Sequence, residues 1–238
     1  MPLSSEILRG TSVRDLRFTI LTASLVTFVF VLGPLRGEPG TYQLLASLTF
    51  TLILLSSILA CARRRGTVTV AVALSLPAVV LVWLLHHFSH EGLVVARHWV
   101  AIALFAFTAL VVLTDVMTSP RVTFDVITGG IAVYLLIGLV WTDLYATIFL
   151  NDPEAFHMSR ALREFHDAAH PLRDLQIFAY FSFVTLTTLG YGDIVPVSSP
   201  ARSLASLEAV IGQIYMTVLV ARLVGLHISH SRVGFDDG

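Results

Sequence analysis

The sequence has no lysine, a single cysteine and few charges of either sign. Asp, Glu, Lys and Arg make up only 13% of its 238 residues, about half the share usual in soluble domains, so a solvated globular surface is excluded on composition. One cysteine, Cys61, excludes an internal disulfide framework. A formal net charge of -1 and the lack of a basic tract exclude an electrostatic nucleic-acid footprint. All basic residues are arginine, fifteen in number. We read that as base composition of the coding sequence, not as function.

What is there is apolar. Hydrophobic residues make up 55% of the chain, and mean hydropathy is +0.81. They fall in runs of about twenty, the length that crosses roughly 30 Å of hydrocarbon as helix. The pattern predicts an all-α integral membrane protein with six transmembrane helices: Phe18–Leu35, Leu44–Ala62, Val68–Leu85, Trp99–Met117, Val126–Leu150 and Ser203–His227. The segment Gly33-Pro34-Leu35-Arg36-Gly37 lacks a small-x-small cleavage pattern, so the first span reads as retained.

Arginine placement sets the orientation. With the N-terminus inside, the inner side holds Arg9, Arg14, Arg17, Arg63, Arg64, Arg65, Arg121, Arg222 and Arg232. The outer side holds Arg36, Arg97, Arg160, Arg163, Arg173 and Arg202, four of them between spans five and six. Both termini are therefore expected in the cytoplasm.

Three pieces lie between the last two spans. Residues 151–173 are polar, with Phe156, Leu162, Phe165 and Ala169 recurring on one helical face. Asp174 is a plausible N-cap for a short apolar helix, Leu175–Thr187. Then comes Thr185-Leu186-Thr187-Thr188-Leu189-Gly190-Tyr191-Gly192, with Asp193 behind it. Ser199-Pro200 reads as N-cap and first helical residue of span six. Non-helical backbone at membrane depth is tolerated only where it is buried in protein or lines a water-filled path. Gly190 and Gly192 permit backbone angles that other residues resist, and alternating such angles lets successive carbonyls face one axis.

This run resembles the selectivity-filter signature of the potassium channel family, in its bacterial-type, pore-loop tetrameric form. The resemblance covers about Phe124 to Gly225, with Val126–Phe149 similar to the outer helix and Ser203–Gly225 similar to the inner helix. It implies a re-entrant pore helix (175–187), a filter (188–192) and an inner helix (200–227) inside a pore domain, 126–227, with 151–173 as its external turret. Ahead of these lie a cytoplasmic N-terminus (1–17), a peripheral four-helix unit (18–117) and a short linker (118–125); a cytoplasmic tail (228–238) follows. The oxygens of Thr188, Leu189, Gly190 and Tyr191, with the Thr188 hydroxyl, are implied to ring dehydrated K+, and Gly192 ends the strand. One filter strand cannot surround an ion, so the implied partners are three identical subunits, a homotetramer, together with membrane lipids. Leu189 stands where valine is usual. K+ is the permeant ion, and no cofactor, enzymatic activity or accessory domain is implied. The implied location is a bacterial plasma membrane.

Supporting roles follow the same resemblance. Asp193 is placed to bond Tyr180 at the outer mouth. Glu208, an intramembrane carboxylate, is placed to bond Thr185 or Thr187 behind the filter. Gly212 matches the family's inner-helix hinge glycine. Gln213, Met216 and Val220 form a pore-facing stripe, a gate that closes by dewetting. Residues 99–113 of the fourth span carry no charge, so no conventional voltage sensor is expected. About ten residues follow span six, and no regulatory module is expected there. The short linker predicts each peripheral unit packed beside its own pore domain.

Nine histidines remain. His86, His87, His90 and His98 cluster between spans three and four, while His157, His166 and His170 lie in the turret. They are candidates for external proton sensing, or for metal at His87 and His90. Asp143 in span five is expected to face the turret or pair with Arg160 or Arg163, and Asp115 and Asp125 to pair at the interface near Arg121. Two competing readings are a weakly selective cation channel and a membrane metalloprotein built on the outer histidines. A third is a potassium transporter subunit; those that resemble channels normally carry four degenerate repeats in one chain, against the one full-strength filter here, and the size of the assembly discriminates.

Overall fold

The computed structural model describes residues 16–32, 39–62, 65–85, 91–160, 162 and 171–236. The expectations for His86, His87, His90, Arg163, His166 and His170 fall outside the described residues. Among the described residues these helices follow in order: α1 (Arg17–Val26), α2 (Pro39–Ala60), α3 (Arg65–Leu84), α4 (Glu91–Thr118), α5 (Phe124–Asn151), α6 (Pro171–Leu186) and α7 (Ser199–Asp236). α1 runs on into a wider π-helical stretch, Thr27–Leu32. Two short strands, β1 (Phe156–Met158) and β2 (Ile194–Pro196), flank α6.

Among the described residues, four helices are long and apolar enough to cross a membrane: Arg65–Leu84, Gly92–Thr118, Phe124–Asn151 and Ser199–Leu226. They coincide with predicted spans three to six. The first two predicted spans correspond to the shorter apolar helices Arg17–Val31 and Leu44–Ala60.

α5 is the axis of the molecule. It packs against α1, α4, α6 and α7, and it buries residues on every side, from Val126 to Thr147. Its start is fixed by Thr123, whose hydroxyl accepts the Val126 amide, a standard N-cap. One apolar core joins α1, α2, α4, α5 and α7 around Phe18, Leu54, Phe105, Leu136 and Leu219. A second, aromatic core lies beneath α6, where Tyr145, Phe156, Phe178 and Phe181 meet edge to face at centroid separations of 5.0–5.8 Å. Such tilted contacts resist sliding in a way that aliphatic packing does not.

One end of the bundle is held by charge. Asp125 Oδ1 accepts the amides of Phe18 (3.0 Å) and Thr19 (3.2 Å), a carboxylate on the positive end of α1. Arg17 pairs with Asp115 at 2.7 Å. Arg222 of α7 donates to the Val116 and Ser119 carbonyls at the end of α4. The expected pairing of Asp115 and Asp125 near Arg121 is thus replaced by ties to α1.

Three further expectations are corrected. The helical face read over residues 151–173 is broken at its start: α5 stops at Asn151, a 3-10 turn spans Pro153–Ala155, and β1 follows, whereas residues 160 and 162 are helical and Phe165 and Ala169 lie outside the described residues. Pro153, which cannot donate an amide, and the Asp152 side chain bonded to the Glu154 amide enforce that break. Phe156 faces the core, but as a strand residue. The helix before the filter begins at Pro171, so Asp174 lies inside it and is not its N-cap. At α7 the cap shifts by one residue: the Ser198 hydroxyl, not that of Ser199, accepts the Ala201 amide.

Candidate functional site: the strand between α6 and α7

α6 ends in a way that aims the chain into the site. The Thr188 amide bonds the Thr185 carbonyl, and the Leu189 amide reaches back to the Val184 carbonyl at 2.9 Å. That pair of bonds is the Schellman termination, which needs a left-handed residue at its turn and normally takes glycine there. Here the position is Thr188, at φ 60°. A β-branched residue in that region is strained by about 1–2 kcal/mol, so something other than chain reversal selects a hydroxyl there. The Gly190 amide also bonds the Val184 carbonyl, at 3.2 Å.

The left-handed geometry then repeats on alternate residues: Thr188 at φ 60°, Gly190 at 58° and Gly192 at 77°. In an ordinary strand successive carbonyls point to opposite sides. Alternating the handedness cancels that reversal, so a run of carbonyls can share one side. The strand is bare in the single chain: Leu189 is 56% and Tyr191 67% exposed.

Its outer end is tied down twice. Tyr180 of α6 donates to Asp193 Oδ2 at 2.7 Å, and its ring stacks on Tyr191 at 6.4 Å with planes 7° apart. Behind it, β2 pairs antiparallel with β1, in the register Phe156 to Pro196, His157 to Val195 and Met158 to Ile194. The Ser159 amide adds a bond to the Asp193 carbonyl. β1 and its pairing with β2 carry no signal that the sequence pattern revealed, because three residues are too few for periodicity to register.

The inner end rests on α7. That helix turns one stripe inward, with Glu208, Gly212, Tyr215 and Leu219 all buried at the helical spacing of 4, 3 and 4. A Cβ on Gly212 would lie 2.5 Å from the Leu186 carbonyl oxygen. α7 runs unbroken past Gly212, so close approach to α6 is itself a reason for glycine there. Gln213, Met216 and Val220 lie about a quarter-turn round from the buried stripe, and all three are exposed in the single chain.

Glu208 does not reach Thr185 or Thr187. It is fully buried, and its oxygens meet Ser182 of α6 (2.5 Å) and Tyr145 of α5 (2.6 Å). The Thr187 hydroxyl bonds back to its own helix at Phe183, and the Thr185 carbonyl serves the Schellman turn. Neither Ser182 nor Tyr145 stood out in the sequence; the signal available was Glu208 itself, which in an apolar setting demands donors on its neighbours.

His98 and Asp143 are also relocated. His98 lies in α4, 2% exposed, and its Nδ1 is 2.6 Å from Asp143 Oδ1 on α5. Arg97 Nη2 is 3.1 Å and 2.9 Å from the two ring nitrogens, a position over the imidazole face, and Nη1 is 3.9 Å from Asp143. Asp143 is therefore met by Arg97 and His98 of α4; its expected pairing with Arg163 lies outside the described residues. His157 stays exposed on β1. Among the described residues no group of three His, Cys, Asp or Glu converges as a metal site.

Comparison with known proteins locates this geometry. No curated protein and no solved structure matched the chain. Residues 156–227 match the family model described as an ion channel. The matched stretch opens at β1 and takes in α6, the alternating strand, β2 and the buried stripe of α7. In that region the chain is similar to an ion channel domain, the kind of domain that conducts ions passively through a membrane.

Proposed function

We propose that this protein is a potassium-selective channel, a homotetramer that passes K+ down its electrochemical gradient through a central pore. The observation that carries the reading is the alternation of left-handed residues at 188, 190 and 192 on a strand that is exposed on one side. Four such strands about a common axis present stacked rings of oxygen from Thr188, Leu189, Gly190 and Tyr191, and these rings replace the hydration shell of the ion. The same reading explains Thr188: its hydroxyl adds a fifth oxygen level at the inner end, which glycine, the unstrained choice, cannot supply.

In this reading α6 is the re-entrant pore helix, α5 the outer helix and α7 the inner helix, and α1 to α4 form the peripheral unit of a six-span subunit. Tyr180 and Asp193 hold the outer mouth. Met216 and Val220 line the inner passage, with Gln213 above them. α4 packs beside α5 of its own chain across a linker of a few residues, which supports a non-swapped arrangement. α4 carries a single arginine, Arg97, and no arginine repeat, which supports gating without a conventional voltage sensor.

Purified protein in liposomes tests the reading. The expected result is K+ and Rb+ uptake, block by Ba2+, and a reversal potential that follows the K+ gradient when Na+ replaces it. A reversal potential indifferent to that exchange supports the weakly selective cation channel instead. The bond between His98 Nδ1 and Asp143 gives that histidine a role within the helix bundle, which favours the channel reading over the metalloprotein one.

A further inference from the structure

Glu208, Ser182, Tyr145 and Gly138 form a chain of contacts whose hydrogens can be counted. Tyr145 Oη lies 2.6 Å from Glu208 Oε2, and Ser182 Oγ lies 2.5 Å from Glu208 Oε1. Ser182 Oγ is also 2.8 Å from the Gly138 carbonyl oxygen. All three separations need a hydrogen between the oxygens, because two bare acceptors at such distances repel. A serine hydroxyl supplies one hydrogen and a carbonyl supplies none. The Tyr145 hydrogen serves its own contact with Oε2. Two contacts at Ser182 therefore share one serine hydrogen, and the other must come from Glu208.

The surroundings agree. Glu208 is 0% exposed, and no cation among the described residues lies within ion-pair distance. The facing side chains are hydroxyl-bearing: Tyr145 from α5 and Ser182 from α6. An ionised carboxylate there is sealed from bulk solvent and faces no counter-charge among the described residues.

We infer that Glu208 carries a proton and completes a one-way hydrogen-bond relay, from Tyr145 to Glu208 to Ser182 to the Gly138 carbonyl, that positions the pore helix. The relay leaves α5 at Tyr145, crosses α7 and α6, and returns to α5 at Gly138. It clasps three helices without placing a charge behind the filter. Its place is one turn from the contact of Gly212 with the Leu186 carbonyl, and the carbonyl of Val184, between Ser182 and Leu186, accepts the Leu189 and Gly190 amides. Glu208, Ser182 and Tyr145 are thus positioning residues for the strand: they touch no permeating ion and act through the end of α6. The proton count stands on geometry alone; the consequence for selectivity rests on the channel reading above.

The test pairs a spectrum with substitutions in the full-length reconstituted protein. Infrared difference spectra of wild type against E208Q are expected to show the C=O band of a protonated carboxyl, missing in the variant. A glutamine amide donates to Ser182 and accepts from Tyr145, so E208Q is expected to rescue what E208L loses: K+ over Na+ permeability within about twofold of wild type, against a loss of about tenfold or more in E208L, the scale of a broken hydrogen bond to a buried group. Absence of the protonated-carboxyl band overturns the inference. So does an E208Q protein that misfolds or discriminates as poorly as E208L, since a charge is then what the site requires. If wild type carries no K+ at all, the channel reading fails while the spectrum still decides the relay.

Discussion

The alternating strand, 188–192, and the buried seat behind the end of α6 obey opposite rules. On the strand, three of five residues take the left-handed conformation, and Leu189 and Tyr191 are more than half exposed. In the seat, Leu186, Ser182 and Glu208 are fully buried and the polar atoms of the last two are paired. Strained backbone persists only where its surroundings over-determine it. The comparison teaches how the two depend on each other: the seat fixes where α6 ends, the Schellman turn fixes how the strand leaves it, and in the proposed channel the strand's open side is left for ions and for other copies of the chain.

The largest effect is expected on the strand. Gly190→Ala puts a Cβ on a left-handed residue at about 1–2 kcal/mol per copy, roughly 4–8 kcal/mol over the proposed four. K+-selective uptake into liposomes should vanish while the assembly keeps its mass by light scattering. A Gly190→Ala protein that still distinguishes K+ from Na+ would show that the alternation is incidental.

Next in size is the seam between α4 and α5. Asp143→Leu strands the Arg97 guanidinium, 4% exposed at its side chain, without its counter-charge. The expected loss of stability is about 3–5 kcal/mol, read as a fall in thermal midpoint. Replacing Arg97, His98 and Asp143 together by apolar residues should recover most of it. Failure of the triple variant to recover would assign the cluster a role beyond mutual neutralisation.

The seat should respond more mildly. Gly212→Ala forces α7 away from the Leu186 carbonyl, an overpacking penalty of about 1–3 kcal/mol, and the filter should suffer with it: a lower K+ over Na+ permeability ratio at an unchanged assembly mass. A hinge role without close packing predicts altered opening and intact selectivity instead. The smallest effect is expected at the outer mouth. Tyr180→Phe removes the bond to Asp193, at about 1 kcal/mol, and keeps the ring that stacks on Tyr191. Selectivity should survive, and current should decay faster during sustained opening. Unaltered decay would place the hold on the β1–β2 pairing.

Much of this architecture was legible in the residues. Apolar runs near twenty located the helices because hydrocarbon thickness sets that length. The Gly190 and Gly192 spacing exposed the alternating strand because so few residues accept positive φ. The third alternating position, Thr188, was legible as a hydroxyl but not as the strained end of a helix. Gly212 was identified by register alone, and its contact with Leu186 was not. Glu208 and Asp143 announced themselves as carboxylates in apolar helices, yet their partners did not follow. Local pattern names a group that needs satisfying, and only the packing of other helices says which neighbour satisfies it. His98 shows the same limit: its place in a histidine-rich stretch suggested a solvated loop, while α4 begins earlier and turns it inward to Asp143.

By itself the sequence determined which segments are helical and apolar, where the chain must leave helical geometry, and which residue types stand at that break. Those are properties of single residues and short periods: propensity, hydropathy and allowed backbone angles. The tertiary structure decided the rest. It decided that β1 clasps β2, that α7 meets α6 at a glycine, and that Tyr145 and Ser182 complete Glu208 while Arg97 and His98 complete Asp143. Each of those pairs distant parts of the chain through directional bonds, whose geometry exists only once the helices are side by side.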